Sequence, residues 1–105
     1  MQTPTIDPRL LGKWIADSTH QLTLNNLGDV ELDFRQDGQL IYTVKEQTFD
    51  KIINMTWIAK DGVVVTDQPS RPEVQQSPYY FDSTGKLFIR FDAEIFQFCR
   101  FEFPR

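Results

Sequence analysis

Residues 30–44 read Val-Glu-Leu-Asp-Phe-Arg-Gln-Asp-Gly-Gln-Leu-Ile-Tyr-Thr-Val. Two alternating apolar and polar segments flank Gln36-Asp37-Gly38, and a glycine at that place supplies the positive φ that ends a three-residue hairpin loop. With this loop Phe34 lies opposite Leu40, and all the large apolar side chains share one face. A two-residue loop would set them among the acidic residues, because a one-residue slip turns every side chain to the other face. The stretch therefore predicts an antiparallel hairpin with a three-residue loop.

Three further glycines, Gly28, Gly62 and Gly85, lie between alternating segments in the same way. The three-residue rule gives these pairs: Leu22–Leu32, Leu24–Val30, Trp57–Val65, Ala59–Val63, Tyr79–Ile89 and Phe81–Leu87. Extended along the chain, it predicts eight strands, at residues 12–25, 29–35, 39–45, 52–59, 63–67, 78–82, 86–92 and 95–103.

The inward face of the last strand is left open by the pattern. Pairing Phe91 with Phe96 places one set of side chains inside: Phe96, Phe98 and Arg100. A slipped register places the other set there: Cys99, Phe101 and Phe103. No segment has an apolar period of 3.6 residues over ten residues, so the only helical turn predicted is 7–11, with Asp7 as its cap and Pro8 at its first position.

Eight short strands in succession predict an all-β fold: an eight-stranded antiparallel up-and-down β-barrel, one domain over residues 1–105. Closure removes the exposed sheet edges, and the tight turns disfavour the Greek-key crossings of a two-sheet sandwich. The turns at Gly38, Gly62 and Gly85 fall at one end, the base. The connections at the other end, the candidate mouth, are 26–28, 46–51, 68–77 and 92–95.

The chain's length and composition exclude several classes of function. It has 105 residues, with 11 Lys and Arg against 15 Asp and Glu, a formal net charge of −4. Neither nucleic acid nor an anionic membrane is an expected partner of such a chain. One His and one Cys exclude a His/Cys zinc site and an intrachain disulfide, and neither a metal nor a cofactor is expected. Without a signal sequence or an apolar run of about 20 residues, a cytoplasmic location is expected.

The segment Leu11-Gly12-Lys13-Trp14 follows the predicted helical turn, and Arg100 lies near the end of the last strand. Together with residues 32–38, these features resemble the small bacterial lipocalin-like (calycin-type) domains, which have a Gly-x-Trp motif at the same place. The resemblance implies a lipocalin-like barrel in which Arg100 packs across Trp14 at the closed base, a cation–π contact. The chain departs from the family in its shortness and in having only residues 26–28 in place of the long first loop.

Seven side chains are candidate ligand contacts, six by their inward strand phase and one by its place in the mouth loop: His20, Tyr42, Trp57, Tyr79, Phe81, Phe91 and Arg71. His20 is read either as a polar ligand contact or base, or as a hydrogen-bonded residue at a bend of the first strand. The inward rings suit an aromatic-lined pocket, but they equally suit a filled core.

Two other groups favour structural interpretations. Cys99 lies mid-strand among phenylalanines and is expected to be a buried small hydrophobe rather than a nucleophile. Asp29, Glu31 and Asp33 alternate on one face, which predicts a solvated outer surface paired with Lys45 rather than a calcium site.

The sequence contains no phosphate-binding, nucleophile-elbow or metalloprotease motif, so a binding protein is predicted rather than an enzyme. The leading hypothesis is a small β-barrel that binds a small apolar ligand at the mouth near residues 68–77. One alternative is a solid barrel that acts as a protein–protein interaction or inhibitory module through its outward apolar residues: Ile41, Ile58, Val64 and Tyr80. The other is an enzyme that uses His20 with Glu73. Both a monomer and a homodimer are compatible with the chain.

Overall fold

The computed structural model describes residues 6–68, 74–91 and 93–101, and its strands close into one antiparallel barrel. A 3-10 turn at Pro8–Leu10 comes first, then β1 (Gly12–Ala16), helix α1 (Gln21–Leu27), β2 (Val30–Phe34), β3 (Gln39–Lys45), β4 (Asp50–Lys60), β5 (Val63–Asp67), β6 (Gln75–Phe81), β7 (Leu87–Phe91) and β8 (Glu94–Arg100). Each strand pairs with its neighbours in the chain, and β1 pairs with β8. The predicted eight-stranded up-and-down barrel is confirmed.

The N-terminal turn forms as the sequence predicts. The Asp7 side chain accepts a hydrogen bond from the Arg9 backbone N–H at 3.0 Å, and Pro8 occupies the first turn, where its missing N–H costs nothing. Leu10 is fully buried against the core. The turn thus anchors the segment that leads into β1.

The hairpins at Gly38 and Gly85 have the predicted three-residue loops. Phe34 pairs with Leu40 across the first loop, and Phe81 pairs with Leu87 across the second. Both glycines have positive φ angles, 87° and 89°, which L residues rarely adopt.

The loop at Gly62 is one residue shorter than predicted, so the register there was wrong. Lys60 pairs with Val63 across Asp61-Gly62, and both loop residues have positive φ, 53° and 76°. Aspartate tolerates this conformation, and two such residues match the twist of the flanking strands. The shift turns Val64, predicted to face solvent, into the core with 2% of its surface exposed.

The largest correction concerns residues 17–27, which were assigned to a strand and contain helix α1. β1 ends at Ala16 because the Asp17 carboxylate accepts hydrogen bonds from the Thr19 N–H (2.9 Å) and hydroxyl (2.7 Å), which forms a turn. The helix ends at Leu27, and its C-cap is Gly28, whose φ is 74°. The predicted pairs of Leu22 and Leu24 with β2 were therefore wrong.

The last strand places Phe96 and Phe98 inside, 5% and 0% exposed, which selects the first of the two predicted faces for these residues. Arg100, predicted to lie inside with them, is exposed where the strand ends at the base. The pairing itself differs from the predicted one, since Phe96 lies opposite Ile89 rather than Phe91. Cys99 and Phe101 are half-buried, and Phe103 lies outside the described residues.

Large side chains fill the base half of the barrel. The rings of Phe34 and Trp57 meet edge to face at 5.0 Å, and the Trp57 indole N–H donates to the Arg35 carbonyl at 3.0 Å. Trp14 packs beside Phe81 at 5.9 Å. The barrel interior at this end is packed with side chains. A more open groove of about 560 Å³ lies between the N-terminal turn and the β4–β5 loop, and its lining residues are Asp7, Pro8, Arg9, Ala59, Lys60, Asp61, Gly62 and Tyr79.

Candidate functional site

A cavity of about 570 Å³ opens inside the barrel at the mouth end. Its wall takes residues from α1, from strands β2 to β8 and from the connections after β5 and β7: Asn26, Leu27, Leu32, Phe34, Leu40, Tyr42, Ile53, Met55, Val64, Thr66, Gln68, Gln75, Ser77, Ile89, Phe91, Ala93, Glu94 and Phe96. The volume falls within the range of roughly 300–1,000 Å³ that is usual for small-molecule sites. The barrel is therefore hollow at the mouth and filled at the base.

Helix α1 forms one side of the mouth. Asn26 and Leu27, from its last turn, belong to the cavity wall. The fully buried Thr23 hydroxyl accepts a hydrogen bond from the Gln97 backbone N–H at 2.8 Å, and it also contacts His20 Nδ1 at 2.7 Å. This hydroxyl ties the helix to β8 and so sets the position of that side of the wall.

A second set of hydrogen bonds holds the turn before α1 against the outside of the barrel. The Asp17 carboxylate, 3% exposed, accepts hydrogen bonds from Lys86 Nζ at 2.9 Å and from the Gln97 side-chain amide. Burial alone would raise the pKa of Asp17, but the hydrogen bonds from Lys86, Thr19 and Gln97 outweigh burial, and they hold this pKa well below its usual range. Asp17 is thus a buried, fully partnered anion that fixes the chain between β1 and the helix.

The wall is mostly apolar, with a few polar groups that could orient a ligand. Tyr42 lies in the cavity wall, and burial raises the pKa of its hydroxyl. Ser77 is 2% exposed, whereas Thr66, Gln75 and Glu94 lie toward the rim. Such a wall suits an apolar body with one polar end.

Two of the predicted ligand contacts, Tyr42 and Phe91, lie in the cavity wall. Trp57, Tyr79 and Phe81 pack instead among the aromatic side chains of the base and are not part of this cavity wall. The Tyr79 hydroxyl donates to the Asp7 carboxylate at 2.6 Å, and burial together with this bond raises the pKa of Tyr79 to about 12. Chiefly through hydrogen bonds from Arg9, the pKa of Asp7 is lowered to about 2. These groups have structural partners already.

The remaining two predicted contacts are placed differently. His20 is the N-cap residue of α1 rather than an inward strand residue, and its ring contacts Thr23 instead of lining the cavity. Its predicted inward position was wrong because the strand phase used to derive it does not extend past Ala16. Arg71 and Glu73 lie outside the described residues.

Trp14 and Arg100 lie together at the base. The Arg100 guanidinium carbon is 4.0 Å from the centroid of the Trp14 ring, and the Trp14 indole N–H donates to the Leu10 carbonyl at 2.9 Å. Arg100 also donates to the carbonyls of Leu11 and Arg9, the latter at 2.8 Å. The arginine therefore joins the N-terminal turn to the end of β8.

Several wall residues were not singled out from the sequence, although a signal existed for some. Leu40 pairs with Met55 and Tyr42 pairs with Ile53, so continuing the register of the Gly38 hairpin into the next strand would have placed Ile53 and Met55 inside. Ser77 and Thr66 were hidden by the loop assigned to 68–77 and by the slipped Gly62 turn. Glu94 fell in the connection assigned to 92–95.

The outer carboxylates and the cysteine carry no separate site in the described part of the chain. Glu31 lies 3.5 Å from Lys13 Nζ and 3.7 Å from Lys45 Nζ on the outer face. Burial raises the pKa of the half-buried Cys99 thiol. No group of three His, Cys, Asp or Glu side chains that could hold a metal ion occurs among the described residues.

No protein-family model matches the chain, and no curated protein or solved structure is significantly similar to it. No helix in the described part of the chain is both long enough and apolar enough to cross a membrane.

Proposed function

We propose that the chain is a lipocalin-like binding protein that holds a small apolar molecule in the cavity at the barrel mouth. The cavity of about 570 Å³ carries this proposal, because it is a mostly apolar space of ligand size that opens from the barrel interior at the mouth. Burying apolar surface there would stabilise a complex by about 25 cal/mol for each Å² removed from water.

Titration calorimetry with decan-1-ol, a neutral ten-carbon probe, tests this function. The variant Thr66→Phe places a ring in the cavity wall and should abolish binding. The variant Thr56→Phe makes the same substitution on the exposed outer face of β4 and should leave binding unchanged. Equal binding by the two variants, or no binding by the wild type, contradicts the proposal. Native mass spectrometry of protein purified from its own source would then identify the natural ligand.

A second candidate, an interaction module, is favoured by apolar side chains on the outer face of β4 to β7. Ile58 and Tyr80 are 37% and 51% exposed, and Tyr80 stacks on Phe88 at 4.7 Å. Exposed apolar surface of this kind suits a second copy of the chain. Of the other outward residues predicted for this role, Val64 is buried and Ile41 is half-buried. Sedimentation equilibrium of wild type and Tyr80→Glu tests the homodimer, and a wild type that stays monomeric at all concentrations contradicts it.

A further inference from the structure

Acidic residues outnumber basic residues around the mouth of the cavity. Nine charged residues lie at or beside the mouth ends of the described strands. Six of them are carboxylates, Asp17, Asp29, Glu46, Asp50, Asp67 and Glu94, and the three cations are Lys45, Lys51 and Arg90. Among the described residues that form the cavity wall, Glu94 is the only charged one. A ligand that enters the cavity therefore meets a negative charge at the rim.

Glu94 belongs to the interior face of its strand. It precedes Phe96 and Phe98 by two and four residues, and side chains two apart on a strand share one face. In the neighbouring strand its register partner is Phe91, whose ring lies 5.7 Å from that of Phe96. A carboxylate thus stands beside two aromatic rings, all three in the cavity wall.

This combination favours a positive charge. A carboxylate attracts a cation directly, and the faces of aromatic rings attract it through their quadrupole. Glu94 is exposed, so an ammonium group held there keeps much of its hydration while the attached apolar chain enters the cavity. A ligand carboxylate at the same place would be repelled and would meet no cation of the described wall.

We propose that the cavity selects apolar molecules that carry an amine, with the ammonium group at Glu94 beside Phe91 and Phe96. This inference rests on the proposed binding function and names the chemical class of its ligand. Lys51 is the alternative charged residue that could set the ligand class. It pairs with Val44, and it shares the face of β4 that carries Ile53 and Met55, at the end of that strand nearer the mouth. If Lys51 read the ligand instead, a carboxylate would be preferred.

Three probes with the same ten-carbon chain test the inference: decylamine, decan-1-ol and decanoate, titrated at pH 7 and low ionic strength. We expect decylamine to bind more tightly than decanoate. Glu94→Gln should weaken the binding of decylamine by about fivefold, in line with the strength of exposed charge pairs. It should change the affinity for decan-1-ol by no more than about twofold and should strengthen the binding of decanoate. Lys51→Gln is the matched control and should not weaken decylamine. Thermal unfolding of both variants verifies that they are folded.

The other outcomes distinguish a failure of this inference from a failure of the proposed binding function. Tighter binding of decanoate than of decylamine overturns the inference, as does a Glu94→Gln variant that binds all three probes as the wild type does. In both cases the cavity still binds apolar molecules, and the proposed function stands. A wild type that binds none of the three overturns the proposed function together with the inference.

Discussion

At the level of single residues, Trp14 of β1 contacts both the N-terminal turn and the end of β8 at the base of the barrel. It is 1% exposed, its indole N–H reaches the Leu10 carbonyl, and its ring lies under the Arg100 guanidinium. Trp14→Ala should lower the free energy of unfolding by about 3–5 kcal/mol, the usual cost of removing a large buried ring. Trp14→Phe keeps part of the packing and loses the hydrogen bond, so its loss should be smaller. Urea unfolding measures both, and a loss near zero for Trp14→Ala would contradict a packed base.

Asp17 gives a prediction that depends on pH. Its pKa in the folded protein is lowered, because hydrogen bonds from Lys86, Thr19 and Gln97 outweigh the effect of burial. Its contribution to stability is therefore complete above the unfolded pKa of about 3.9 and is lost as the pH falls through the folded value. Asp17→Asn should cost about 1–3 kcal/mol at pH 7, as expected for hydrogen bonds to a charged group.

Unfolding of wild type and Asp17→Asn across a pH series measures this effect. The difference between the two proteins should be constant from pH 7 down to about pH 5 and should shrink below about pH 4. A difference that is as large at pH 2 as at pH 7 would show that the charge of Asp17 contributes nothing. Lys86→Met is the companion variant, and it should remove much of the pH dependence by removing the cation.

At the level of elements, the Thr23 hydroxyl is the direct contact between α1 and β8. Thr23→Val keeps the shape of the side chain but removes the acceptor for the Gln97 N–H and the contact with His20. An unsatisfied buried N–H costs about 1–3 kcal/mol, and the loss should be concentrated in the helix. Hydrogen exchange should accelerate in residues 21–27 more than in β3. Equal acceleration in both elements would contradict a local tie between α1 and β8.

The elements also show how far sequence reasoning reaches. The hairpin of residues 30–45 was placed correctly because alternation is a local property that neighbouring residues carry. Helix α1 was missed because its seven residues make fewer than two full turns of helix, too few for a periodic apolar face. Contacts with distant residues hold it instead, Thr23 with Gln97 and Asp17 with Lys86. No local pattern carries such contacts.

The candidate site was predicted in the same uneven way. Tyr42 lies in an uninterrupted hairpin, so its inward position followed from register alone. Val64 was misplaced because Asp61-Gly62 can end either a two-residue or a three-residue hairpin loop. The two loop lengths place opposite faces of the next strand toward the core. Whether the barrel is hollow depends on how side-chain volumes from eight strands add up, which no single segment of sequence reveals.

At the level of the whole molecule, the barrel is filled at one end and hollow at the other, and this division couples stability to ligand binding. A molecule that binds only the folded protein stabilises it by RT ln(1 + [L]/Kd), about 1.4 kcal/mol when the free ligand is at ten times its Kd. For a domain of this size, the corresponding rise in the midpoint of thermal unfolding is roughly 5 to 10 °C. Decan-1-ol at that concentration should produce this rise in the wild type.

The two threonine variants turn this rise into a test of where the probe binds. Thr66→Phe occupies the cavity and should show no rise, whereas Thr56→Phe should match the wild type. A ring in the cavity also supplies contacts that the wall atoms lack when the space is empty. The unfolding temperature of Thr66→Phe should therefore lie no more than a few degrees below that of Thr56→Phe. A rise of equal size in both variants would place the bound alcohol on the outer surface. The hollow half of the barrel would then have no part in binding.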